Sequence, residues 1–85
     1  MKLRQPWGRR KCQLRRIAYY ERWMVSLREK PTRAAREALR RYYESPQWKR
    51  DFLADEAGLL PRGFPRGVLS EDGLYDLLEE TEGMV

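Results

Sequence analysis

The chain has 85 residues, with 18 Lys and Arg against 13 Asp and Glu for a net charge of +5, a single Cys, and neither His nor Asn. That length fits one small domain (residues 1–85), which buries only about 60–65% of its unfolded surface and so favours a surface for binding over a deep pocket. The missing His excludes His-dependent triads and His-ligated metals, and the lone Cys12 excludes internal disulfides and cysteine zinc clusters; a non-enzymatic, cytoplasmic protein with no cofactor and no metal is expected.

Residues 1–8 read as a basic arm ending at Gly8. From about Arg9 to Glu29 neither Gly nor Pro interrupts one long helix. At 100° per residue, Leu14, Ala18 and Val25 form one apolar stripe and Ile17, Tyr20, Met24 and Leu27 an adjoining one, with Trp23 at its margin, while Arg15, Arg22, Ser26 and Glu29 lie opposite. Pro31 ends the helix, because it cannot donate a helical hydrogen bond and pushes Lys30 into extended geometry.

Thr32 is the N-cap expected for a second helix, about 33–44, with Ala35, Ala38, Leu39 and Tyr42 on one face. Arg33, Arg36 and Arg40 lie opposite. Glu37 can reach Arg33 and Arg41, and Arg40 can reach Glu44, at helical spacing. The short link predicts an antiparallel hairpin of the first two helices.

Ser45-Pro46 is a start signal for a third helix running to about Ala57, with Trp48 and Phe52 inward and Gly58 as the left-handed closing residue. Residues 59–69 contain Pro61, Gly63, Pro65 and Gly67, which break any period, yet Leu59, Leu60, Phe64, Val68 and Leu69 are too apolar for a solvated tether. An ordered loop completing the core is expected. Ser70 caps the last helix, about 71–80, where Leu69 and Leu74 match a hydrophobic staple and Glu71 and Asp72 suit the helix dipole. Residues 81–85 are expected to fray. Apolar runs stay far below the ~20 residues of a membrane span, and the basic start leads into no signal-peptide core, so a soluble, unprocessed chain is expected. The fold class is all-α: about four helices, an N-terminal antiparallel hairpin and two shorter C-terminal helices joined by an ordered Pro/Gly loop.

The segment with Tyr42-Tyr43, Ser45, Trp48, Asp51, Asp55-Glu56, Gly58 and Pro61, followed by Arg66-Gly67-Val68-Leu69-Ser70-Glu71-Asp72 and Tyr75 to Leu78, resembles an uncharacterised bacterial family of domains of unknown function whose members end in this RGVLSED block. The resemblance covers about residues 39–80. It implies a small, mainly helical intracellular protein and brings no activity, ligand or catalytic residue with it; nothing in it extends to residues 1–38.

The charge is divided along the chain. Residues 1–50 hold 16 Lys and Arg and four acids, net +12, whereas residues 51–85 hold two arginines and nine acids, net −7. The candidate interface is therefore Arg9, Arg10, Lys11, Arg15, Arg16, Arg22, Arg33, Arg36, Arg40 and Arg41, continued by Lys2 and Arg4, with Trp7 and Tyr19 interleaved. Arginine suits bidentate phosphate contact and stacking, and aromatic rings among cations suit a nucleic-acid backbone and its bases. The partner expected is nucleic acid or a nucleoprotein complex, read by shape or backbone because adenine-reading Asn is absent. The alternatives are an acidic protein surface gripped by an inhibitor or adaptor, or a solvated face neutralised by the acidic half.

Three lesser candidates stand beside it. Arg62 and Arg66, on a glycine-containing loop, would form an anion site, or the glycines only permit the turns. Asp51, Asp55, Glu56, Glu71 and Asp72 would form an oxygen-only cation site if they converged, although helix starts and pairs of Asp51 or Asp55 with Arg62 or Arg66 account for them more simply. Cys12 sits among cations that favour a thiolate, but it has no catalytic partner.

Overall fold

The computed structural model describes residues 10–84. It contains α1 (Lys11–Glu29), α2 (Arg33–Tyr43), α3 (Pro46–Glu56) and α4 (Glu71–Glu80), with short 3-10 turns at Gly67–Leu69 and Glu82–Met84 and no strand among the described residues. The predicted arm and Arg9 lie outside the described residues. Local chemistry sets the boundaries. Thr32 Oγ1 accepts from the Ala35 N–H (3.1 Å), Ser45 Oγ from that of Trp48 (3.2 Å) and Ser70 Oγ from that of Gly73 (3.1 Å). Each hydroxyl satisfies one of the free amides at a helix start, worth about 1 kcal/mol. Lys30 is extended (φ −149°) ahead of Pro31, and this ends α1. At the end of α3, Gly58 takes φ +71°, so that its N–H reaches the Asp55 carbonyl (3.0 Å) and the Leu59 N–H reaches that of Ala54 (2.9 Å). This pair of bonds is a Schellman closure, which favours glycine at the left-handed position.

α1 and α2 form the expected hairpin. Tyr20 and Tyr42, equally far in sequence from Pro31, stack with ring centroids 4.0 Å apart and planes 4° from parallel. The core takes Ile17, Met24 and Leu27 from α1, Ala35, Leu39 and Tyr42 from α2, and Trp48 and Ala54 from α3. Leu60, Val68 and Leu69 of the connecting loop and Leu74, Leu77 and Leu78 of α4 close it. Leu69 and Leu74 are both buried, as a staple requires.

The structure departs from the sequence expectations at three apolar or terminal positions. Val25 is 43% exposed, because α2 and the Gly67–Leu69 turn pack on the Ile17 side of α1. At the end of α3, Leu60 enters the core while Leu59 stays half exposed. Thr81, placed in the expected frayed tail, is buried: its hydroxyl donates to the Leu77 carbonyl (2.8 Å), and the Met84 N–H returns to its carbonyl (3.1 Å), whereas Glu82, Gly83 and Met84 are exposed and Val85 lies outside the described residues.

Candidate functional site

Among the described residues Asp51 is the fully buried acid, and its carboxylate joins three helices. From α1, Arg16 donates Nη2 to Oδ1 (2.6 Å) and Nε to Oδ2 (2.9 Å), and Gln13 Nε2 donates to Oδ1 (2.9 Å). From α2, the Tyr42 hydroxyl donates to Oδ2. Arg10 Nη1 donates to Gln13 Oε1 (2.9 Å) and extends the network outward. A buried carboxylate is costly unless paired and fully hydrogen-bonded, and four donors meet that demand here. Burial first, and then the bond to Asp51, push the Tyr42 phenol far above its ordinary value. The expectation that Asp51 pairs with Arg62 or Arg66 is thus corrected. It faces α1 because it follows Trp48 by three residues and so shares the inward side of α3.

Three further side chains hold the Gly67–Leu69 turn and the end of α4 against the first three helices. Glu21 Oε1 accepts from the Val68 N–H (2.9 Å), and Trp48 Nε1 donates to the Val68 carbonyl (3.0 Å), so one residue of the Gly67–Leu69 turn is clamped between α1 and α3. Gly67 permits this approach; a Cβ there would stand 3.2 Å from Glu21 Oε2. Arg36 crosses from α2 to the end of α4, donating Nη2 to the Leu78 carbonyl (2.8 Å) and Nε to Thr81 Oγ1 (3.2 Å). A cation at carbonyls left free by the helix end is favourably placed.

The ten cations of the expected interface therefore separate. Arg9 lies outside the described residues. Arg10 and Arg16 turn toward Asp51, and Arg36 toward α4, so these three leave the predicted face. Arg40 pairs with Glu37 and, at 3.4 Å, with Glu44; the expected reach of Glu37 to Arg33 or Arg41 gives way to Arg40. Lys11, Arg15, Arg22, Arg33 and Arg41 are exposed and form no ion pair among the described residues. Lys11, Arg15 and Arg22 share one side of α1 with Tyr19, itself 47% exposed, over about 16 Å of helix. The acids of α4, Glu71, Asp72, Asp76, Glu79 and Glu80, are exposed on their own helix, and none pairs with these cations among the described residues. Only Arg16–Asp51 and the 4.0 Å contact of Arg36 with Glu82 link the two charge halves by ion pairs in that span.

Arg66 donates Nη1 to Asp55 Oδ1 (2.6 Å), Nη2 to the Pro61 carbonyl (2.6 Å) and Nε to the Phe64 carbonyl (3.2 Å), so it braces the loop instead of facing an anion beside exposed Arg62. Asp55, Glu56, Glu71 and Asp72 do line one open cleft of about 370 Å³, but Arg66 lies among them and Asp51 is elsewhere. No group of three or more potential ligands able to hold a metal ion occurs among the described residues. Cys12 is exposed.

Sequence reasoning missed the inward roles of Gln13, Arg16 and Glu21. The signal was present: the spacing that puts Ile17 and Met24 inward runs back to Gln13, and the Tyr20–Leu27 row runs back to Arg16. Glu21 follows Ile17 by one turn.

The chain matches the family described as Domain of unknown function (DUF4298) over residues 27–85, well over half its length, and belongs to that family. The match begins in the last turn of α1 and takes in all of α2, so it starts upstream of the resemblance around residues 39–80. No curated protein and no solved structure matches the chain.

Proposed function

We propose that this DUF4298 member is a small non-enzymatic binding protein whose α1 outer face docks on the backbone of a nucleic acid, alone or within a nucleoprotein complex. One observation carries the reading: Lys11, Arg15 and Arg22 stand exposed in a row, and no acid pairs with them among the described residues. In about 16 Å, a row of this kind meets roughly five phosphates of one strand. Exposed Arg33 and Arg41 on α2 add to the positive potential around it. A reducing cytoplasm suits the exposed Cys12 thiol.

A second reading has its own support. Tyr19 and Val25 are large exposed apolar groups on the same helix, and aromatic anchors beside arginines also suit an acidic protein surface. The test is a low-salt titration with mixed-sequence oligonucleotides of the native protein and of a Lys11→Glu, Arg15→Glu, Arg22→Glu variant. Binding that the triple variant loses supports the proposal. No binding by the native protein, together with capture of one protein partner from nuclease-treated extract, overturns it in favour of the protein surface.

A further inference from the structure

The outer side of α1 carries more than charge. Tyr19, Arg22, Trp23 and Ser26, four positions on successive turns, line a shallow open pocket of about 260 Å³. The rings of Tyr19 and Trp23 stand with centroids 6.4 Å apart and planes at 84°, and Tyr20 meets Tyr19 edge-on at 4.9 Å. Two nearly perpendicular rings make a corner, in which a flat heterocycle stacked on one ring meets the other edge-to-face, both geometries that aromatic pairs prefer. The volume is below that of a pocket for a whole drug-sized ligand and suits one planar group. Arg15 stands one turn before Tyr19 and Arg22 one turn after it, both exposed, so cations flank the corner along the helix axis.

From this arrangement we infer that the nucleic acid bound by α1 is single-stranded, with one nucleobase seated in the Tyr19–Trp23 corner and the adjoining phosphates on Arg15 and Arg22. The inference rests on the backbone-docking reading above and adds the strand state and a base subsite. Bases in a duplex are stacked on one another and cannot enter such a corner, whereas an unpaired base presents a free face. Adenine-edge reading by the helix in a duplex groove would call for amide side chains; Gln13 is bonded to Asp51, and the chain has no Asn. Stacking is tolerant of base identity, so little sequence preference is expected.

The experiment measures affinities for oligo(dT), for oligo(rU) and for a duplex of equal length at one low salt concentration, with the native protein, Tyr19→Ala and Tyr19→Phe. Quenching of tryptophan fluorescence that Trp23→Phe removes, with Trp7 and Trp48 kept, gives a second readout. Tighter binding of either single strand than of duplex, weakened about five- to 150-fold by Tyr19→Ala, retained by Tyr19→Phe and accompanied by Trp23 quenching, is the expected result. Equal affinity for single strand and duplex with no effect of Tyr19→Ala overturns the base subsite and leaves the cationic face standing. Absence of binding to all three probes overturns both. Unchanged circular dichroism of Tyr19→Ala shows that its effect is on the site.

Discussion

On α1, Arg15 and Arg16 are sequence neighbours in different surroundings. Arg16 reaches inward to a fully buried carboxylate with two parallel hydrogen bonds, while Arg15 lies in water among Lys11, Tyr19 and Arg22. The same contrast separates Glu21, which caps the Val68 amide, from the exposed acids of α4. A net charge for either half therefore says little about the fold. Stability comes from the few charged groups that turn inward and find several partners each, and the outward groups are left available for contact.

The family match sharpens the contrast, because it begins at Leu27 and leaves out the part of α1 that supplies Gln13, Arg16, Ile17, Glu21 and Met24. The largest expected effect follows from removing that part. A fragment of residues 27–85 leaves Asp51 without its arginine and strips two buried side chains from the core, each worth about 2–5 kcal/mol when truncated. Against a total stability of about 5–15 kcal/mol, the fragment is expected to show no cooperative urea transition. A transition like that of the whole chain would mean that α1 is an accessory and not part of the core.

Next in size is Arg16→Met, expected to cost about 3–5 kcal/mol by leaving a buried charge unpaired. Adding Asp51→Asn should recover part of that loss, since the neutral amide oxygen can still accept from Gln13 while its NH2 group donates to the Tyr42 hydroxyl oxygen; urea unfolding of the two single variants and the double variant measures the coupling. Additive losses would break the claim that the two residues act together.

A smaller, pH-dependent effect comes from Tyr42. Its phenol is raised above the unfolded value of about 10, so above that pH the unfolded chain has released a proton that the folded chain still holds. The stabilisation is fully present below about pH 10 and is lost as pH rises beyond it, at about 1.4 kcal/mol per pH unit for one group. Tyr42→Phe should remove this component from the alkaline limb of the stability profile. The smallest effect is expected for Arg15→Gln, which touches no buried partner and should change stability by less than about 0.5 kcal/mol.

Much of the fold was legible because its signals are local. Thr32, Ser45-Pro46 and Ser70 mark helix starts through a single side-chain bond, and Gly58 marks a stop through one backbone angle. The inner rows of α1 and α2 follow from spacing alone. The partners of Asp51 were not legible, because they depend on how far the hairpin slides and on how α3 crosses it, which no single helix records. Arg36 is unreadable for the same reason, since an arginine on a polar helix face looks available until a distant carbonyl is placed beside it, whereas the pairing of Asp55 with Arg66 is among the expected ones. Tyr19 was noted among the cations, but its corner with Trp23 needed the rotamers of both rings.

In the proposed docking, the outward cations of α1, and not the inward ones, set the electrostatics of binding. The direct measurement is the slope of log affinity against log salt for a single-stranded oligonucleotide, with the native protein and with Arg15→Gln, Arg22→Gln. Each lost phosphate contact should reduce the slope by about 0.7, so the double variant should fall short of the native slope by about 1.4. An unchanged slope, with both proteins folded, would contradict the claim.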